Sequence, residues 1–166
     1  MSNYELPLTV PHKKQTKAND CWYACIQMLN SWRHKTKTKP TGEHTMHLHG
    51  GLLGHRLHAD KMSSKHFSHV LTENKIRCIN ARELRISMPS EVIKALQNFG
   101  PVMIGGSYGD VGPMSFGHYI VLAGVSADSS DYYIHDPSKK SPGYRRKEWV
   151  ESKFWGDDES AFVCDI

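Results

Sequence analysis

Gly117-His118-Tyr119-Ile120-Val121-Leu122-Ala123-Gly124-Val125 is the stretch on which the fold turns. Its β-branched and aromatic residues read as a strand. The polar run from Ser126 to Asp131 reads as a turn, and Tyr132-Tyr133-Ile134-His135-Asp136-Pro137 as the returning strand. Folding the two strands back on each other carries His118 and Asp136 to one open end of a hairpin. Counting across the turn leaves them staggered by about three residues, a gap that a bulge can change. His135 alternates to the face opposite Asp136, so Asp136 is the better acceptor for one ring nitrogen of His118. Read alone, His118 is a strand residue and Asp136, before Pro137, a turn starter.

Outward from this hairpin, Pro101-Val102-Met103-Ile104 starts the sheet, Tyr144 to Lys147 and Ala161 to Cys164 extend it, and a short helix spans Trp149 to Phe154. Trp149 and Trp155 read as core packing. Gly105-Gly106-Ser107-Tyr108-Gly109-Asp110-Val111-Gly112 lacks the Lys-Ser/Thr ending of a phosphate loop and reads as a flexible loop beside a cleft. Upstream, Pro89 opens a helix with Val92, Ile93, Leu96 and Phe99 inward, closed by Gly100. Ile76 to Ile79 is a short strand. Ser63 or Ser64 caps another helix, with Phe67, Val70 and Leu71 on one stripe and Asn74 at its end. Helices first and strands later predict an α+β fold, with an N-terminal helical lobe and a C-terminal antiparallel sheet lobe.

The helical lobe begins at Gln15-Thr16-Lys17-Ala18-Asn19-Asp20-Cys21-Trp22-Tyr23-Ala24-Cys25. Cys25, Met28, Leu29 and Trp32 recur at helical spacing, and Asn19 or Asp20 caps the helix, leaving Cys21 in its first turn. A thiol there faces unpaired N–H groups and the positive end of the helix dipole, which favour thiolate. The Gln15 amide, six residues earlier, can donate to negative charge on a carbonyl oxygen. Cys21, His118 and Asp136 are thus candidates for nucleophile, base and orienter across the cleft between the lobes. Cys25, one turn further in, reads as core.

Gln-x5-Cys-Trp, Gly-Pro-Val before a strand, Gly-His-Tyr-Ile-Val-Leu and His-Asp-Pro occur here in one order. In that order they resemble the papain-like cysteine peptidases, above all the AvrRpt-type effector proteases of plant-associated bacteria, and next the peptidases that trim double-glycine leaders. The resemblance runs from about Gln15 to Trp155. It implies a papain-like two-lobed fold with Cys21 as nucleophile, His118 as base and acid, Asp136 as orienter and Gln15 as oxyanion donor. It also implies hydrolysis of peptide bonds in a protein or peptide substrate through a thioester, with no cofactor. A secreted bacterial effector or toxin acting in a target cell's cytosol follows from the same resemblance. Such a protein can need a host folding helper or a cognate immunity protein. Arg33 to Lys61, rich in histidine, matches nothing in the family pattern.

The 166 residues fit one domain spanning 1–166, with 39% hydrophobic and 23% charged residues typical of a soluble chain. No apolar run approaches the roughly 20 residues of a membrane span, and residues 1–11 lack the form of a secretory signal. The net charge of +4 is modest. Its densest stretch, Arg33-His34-Lys35-Thr36-Lys37-Thr38-Lys39, lacks the aromatics that stack on bases and reads as a solvated loop, not a nucleic-acid site. Four dispersed cysteines suit reduced thiols, with Cys78 and Cys164 in apolar strand settings. His44, His47, His49, His55, His58, His66 and His69 crowd one segment, but their spacing forms no recognised metal site, so no metal is expected. The alternatives to proteolysis are a glutamine deamidase or transglutaminase at the same site, and a noncatalytic binding module that uses the basic, histidine-rich surface.

Overall fold

The computed structural model describes residues 6–16, 21–34, 71–72, 74–111, 114–156 and 160–165, the side chains of 110, 111 and 114–116 excepted. In chain order these form α1 (Cys21–His34), β1 (Ile76–Cys78), α2 (Ala81–Leu84), α3 (Pro89–Phe99), β2 (Val102–Val111), β3 (Met114–Val125), β4 (Asp131–His135), β5 (Gly143–Arg146), α4 (Lys147–Lys153) and β6 (Ala161–Cys164). The six strands make one antiparallel sheet in the order β1-β6-β2-β3-β4-β5. This is an α+β architecture: a helix first, then the sheet it packs on.

Helix α1 lies against β3, β2 and β6. Its sequence predicts one apolar stripe, but the helix is covered nearly all round: Trp22, Ala24, Cys25, Ile26, Met28 and Leu29 are buried, and so are Gln27 and Asn30. A helix enclosed on all sides is a central element, not a surface one. Its buried amides are satisfied. Asn30 donates to Asn74 Oδ1 (2.8 Å) and accepts from Arg33, which also donates to the carbonyls of Asn74 (2.8 Å) and Lys75 (3.0 Å). Each fully buried large apolar side chain contributes about 1.5–3 kcal/mol relative to exposure, so the position of Cys21 at the head of α1 is held by the core.

The sheet follows the expected strands closely, with β6 on the residues read from the sequence. Helix α3 starts at Pro89, buries Val92 and Leu96, and stops at Gly100 (φ 80°), whose N–H donates to Leu96 O. A Cβ at Gly100 would stand 2.3 Å from the Trp32 ring, so both backbone angle and space require glycine there. Helix α2 has no counterpart in the sequence reading; Asn80 caps it by accepting from Arg82 N at 2.9 Å. The caps at Asn19 or Asp20 lie outside the described residues. So does most of the helix read around Phe67, of which helical, buried Leu71, its neighbour Thr72 and buried Asn74 at its expected end are described.

Two local expectations are corrected. The glycine-rich stretch from Gly105 is not a loop: β2 runs through it to Val111. A Cβ on Gly105 would meet the Trp155 ring at 2.5 Å, and one on Gly106 the Lys153 carbonyl at 2.4 Å. These glycines admit close packing of the α4 end against the sheet, and glycine in a strand marks close approach as often as freedom. Cys78 is exposed, on edge strand β1, instead of lying in an apolar setting.

Candidate active site

Strand β3 carries His118, and β4 ends one residue before Asp136. Between them the register reads Val125↔Tyr132 and Gly124↔Tyr133, then Leu122↔Ile134 and Val121↔His135, with an irregularity between Leu122 and Gly124. One extra residue, Ala123, is thus accommodated on β3. Without it, position 139 would lie opposite His118; with it, position 138 does. The stagger between Asp136 and that opposite position falls from three residues to two. Because side chains alternate faces, an even stagger places His118 and Asp136 diagonally on one face, whereas an odd one would have presented His135 instead. The bulge is fixed from outside the hairpin: Leu8 N–H donates to the Ala123 carbonyl at 2.8 Å, and a Cβ on Gly124 would meet Pro7 at 2.6 Å.

The result is a buried His118 Nε2–H donating to Asp136 Oδ1 at 2.7 Å. The same Oδ1 accepts from the Ser138 N–H (2.9 Å) and Ser138 Oγ–H (2.7 Å), and the Asp136 carbonyl accepts from Lys139 N–H (2.9 Å). The carboxylate is therefore fixed by its own turn before it meets the imidazole. Burial opposes its charge, but the bonds and charge of His118 and the bonds from Ser138 win and hold Asp136 well below the usual carboxylate range.

Cys21, the first residue of α1, is buried and near enough to the His118 ring to help raise its pKa. With Nε2 committed to Asp136, Nδ1 is the nitrogen left for the sulfur. Burial by itself would lower the pKa of His118. The hydrogen bonds to Asp136 and Cys21, together with the charges of both, override it and push His118 up to about 9. At neutral pH the ring bonded to Asp136 is therefore held as an imidazolium, the kind of cation that favours a thiolate. Cys25 is fully buried one turn further along; burial, then the charges of Cys21 and Asp136, push its thiol up. It remains an inert neighbour.

Gln15 is half-buried, and its backbone N–H donates to the Pro137 carbonyl at 2.8 Å. The segment that carries it is thereby docked one residue from Asp136. The sequence reading missed two partners. Ser138 is one, although Asp-Pro-Ser is a known turn signal in which a short hydroxyl bonds back to the aspartate. His12 is the other. Its Nε2–H donates to the Lys139 carbonyl (2.8 Å), which leaves its Nδ1 to accept from the Nδ1–H of buried His135 (3.2 Å). No sequence signal links residues so far apart.

Among known families, the one described as papain-like cysteine protease AvrRpt2 matches residues 4–152. The chain belongs to that family. It is a cysteine protease, a hydrolase, and the match spans α1, the hairpin and most of α4. Among solved structures, a double-glycine motif protease from an AMS/PCAT transporter, determined in complex with the leader peptide, is similar in fold. The TM-score is 0.53 at 15% identity, covering 94% of this chain and 91% of that one. No match is found among curated proteins.

For an AvrRpt2-family protease the elements present are economical: a helix start, one strand and the turn after the next strand supply the three candidate side chains. No group of three or more His, Cys, Asp or Glu among the described residues could hold a metal ion, and the histidines from 44 to 69 lie outside them. No helix among the described residues is long and apolar enough to cross a membrane.

Proposed function

We propose that the protein hydrolyses peptide bonds of a protein or peptide substrate, with Cys21 as nucleophile, His118 as acid and base, Asp136 as orienter and Gln15 as oxyanion donor. The observation that carries this reading is the buried His118–Asp136 bond, on a ring whose pKa the nearby Cys21 also raises. The thiolate attacks the scissile carbonyl carbon, and the oxyanion is held by the Gln15 amide and the Cys21 backbone N–H. His118 passes its proton to the leaving amine as the C–N bond breaks and the thioester remains. It then takes a proton from water as that water attacks the thioester, which releases the carboxylate and returns the thiolate. Asp136 holds the ring and stabilises the imidazolium throughout.

A thiol-reactive peptide probe tests the site. Labelling is expected at Cys21 and lost in both Cys21→Ala and His118→Ala proteins, while Cys25→Ala still labels; equal labelling of wild type and His118→Ala would remove the basis of the reading. Sequencing new chain ends in a treated proteome tests the reaction. Intact chains with deamidated glutamines would replace proteolysis with glutamine chemistry at the same thiol. Family membership also supports the role of a bacterial effector, exported without a cleaved signal and acting in the cytosol of another cell, where a host folding helper or an immunity protein would meet it. Fusing the chain to a translocation reporter tests that role, and a reporter retained in the producing cell would count against it.

A further inference from the structure

A pocket of about 380 Å³ beside Asp136 is lined by Ile134, Pro142, Lys139, Lys140 and Arg145 among others. Its size is that of a small ligand site, large enough for one or two side chains. The one carboxylate in its lining is Asp136, whose charge is already committed to His118 and to both donors of Ser138. No carboxylate among the described residues pairs with Lys139, Lys140 or Arg145. Among the described residues the three cations are therefore uncompensated, and two of them are held in place, one by its backbone and one by an aromatic ring. Lys139 is held from both sides, its N–H by the Asp136 carbonyl and its carbonyl by His12. Arg145 lies over the Trp149 ring at 3.8 Å, which sets the direction of its guanidinium.

The chemistry of the neighbouring site decides which part of a substrate would reach this pocket. His118 must stand beside the leaving nitrogen to protonate it, so the half of the peptide C-terminal to the scissile bond passes the imidazole. Asp136 bonds that imidazole and also lines the pocket, so the pocket borders the candidate site. Resting on the proposed peptidase reading, we propose that this pocket is a specificity subsite for an acidic side chain, aspartate or glutamate, in the leaving half of the peptide substrate. The carboxylate would be taken by Lys139, Lys140 and Arg145, the guanidinium offering a two-pronged contact.

Two measurements separate this subsite from the peptidase reading. In the first, paired peptides carry Glu or Gln at successive positions of the leaving half, and kcat/KM is read as the Glu:Gln ratio at each. One position should favour Glu by about tenfold, as expected for a partly exposed charged contact. The ratio at that position should fall toward one in a Lys139→Gln/Lys140→Gln protein, below one in Lys140→Glu, and shrink with added salt. In the second, Cys21→Ala protein is titrated with the leaving-half peptides alone, followed by fluorescence anisotropy. The Glu peptide should bind about tenfold more tightly than the Gln peptide, and the Lys139→Gln/Lys140→Gln change should erase the difference. Hydrolysis and binding that are both indifferent to Glu overturn the subsite and leave the peptidase standing. Glu-selective binding without any hydrolysis shows an acidic-residue site but overturns the peptidase reading and, with it, the subsite's role in cleavage.

Discussion

His118 and His135 are equally buried, each 2% exposed, and lie on adjacent strands, yet one is pushed up to about 9 and the other down to about 4. Burial lowers both, because it penalises the charged form. For His135 nothing offsets it, and the nearby His12 adds a like charge. For His118 a fixed carboxylate and a thiol reverse the sign. Two strand residues of one type thus differ in chemistry solely through what the backbone delivers to each ring. The protein holds a proton where a leaving group would need one and excludes it from the ring that clasps the N-terminal segment.

The strongest way to break this contrast is to take the charge from Asp136. Asp136→Asn keeps a hydrogen-bond acceptor but leaves only Cys21 to oppose burial at His118, so its pKa should fall well below the wild-type value. The loss in kcat should be about 10³–10⁴-fold. Peptide hydrolysis reads the rate, and NMR titration of the His118 ring reads the pKa; an unchanged titration would refute the account of the pair.

The pH profile of the wild type is a milder test. Activity on a neutral peptide should hold its acid form up to mildly alkaline pH and fall as pH rises through about 9, where His118 loses the proton it gives to the amine. A limb centred near 6.5 would mean that Asp136 and Cys21 do not act on the ring as the structure indicates.

Ser138→Ala should have a smaller effect. It removes one hydroxyl donor, while the backbone N–H of residue 138 still reaches Asp136, so a loss of about three- to tenfold in kcat/KM is expected from one hydrogen bond to a charged group. Ser138→Thr should restore most of it.

The smallest effect is on stability, and the two histidines act in opposite directions. The folded value of His118 lies above its ordinary 6.5, so its contribution is full below about 6.5 and fades as pH rises through about 9. The folded value of His135 lies below 6.5, so its contribution is full above about 6.5 and is lost as pH falls through about 4. A His135→Gln protein should therefore unfold less steeply with acid between pH 6.5 and 4 than the wild type in urea titrations. Parallel slopes would show that His135 is not held neutral.

Most of the architecture is legible in the chain because it rests on short-range periodicity. The stripe of α1, Pro89 and Gly100 bracketing α3, and the apolar runs of β3, β4 and β6 announce themselves within a dozen residues. Gly105 and Gly106 misled because glycine carries two meanings, freedom and close packing, and only Trp155 and Lys153, some fifty residues away, select the second. The same holds for His12, whose partner is 123 residues distant.

By itself the sequence determined which residues could do chemistry here: a cysteine at a helix start, a histidine and an aspartate on the two arms of one hairpin, and a glutamine upstream. The sequence favoured Asp136 over His135, and tertiary structure alone supplied the register that lets Asp136 meet His118. That outcome hangs on one residue of register at Ala123, held by Leu8 and Pro7 from the far end of the chain. A strand's alternation is local, but its parity relative to a partner is set by whatever absorbs the extra residue, and that is a contact across the fold.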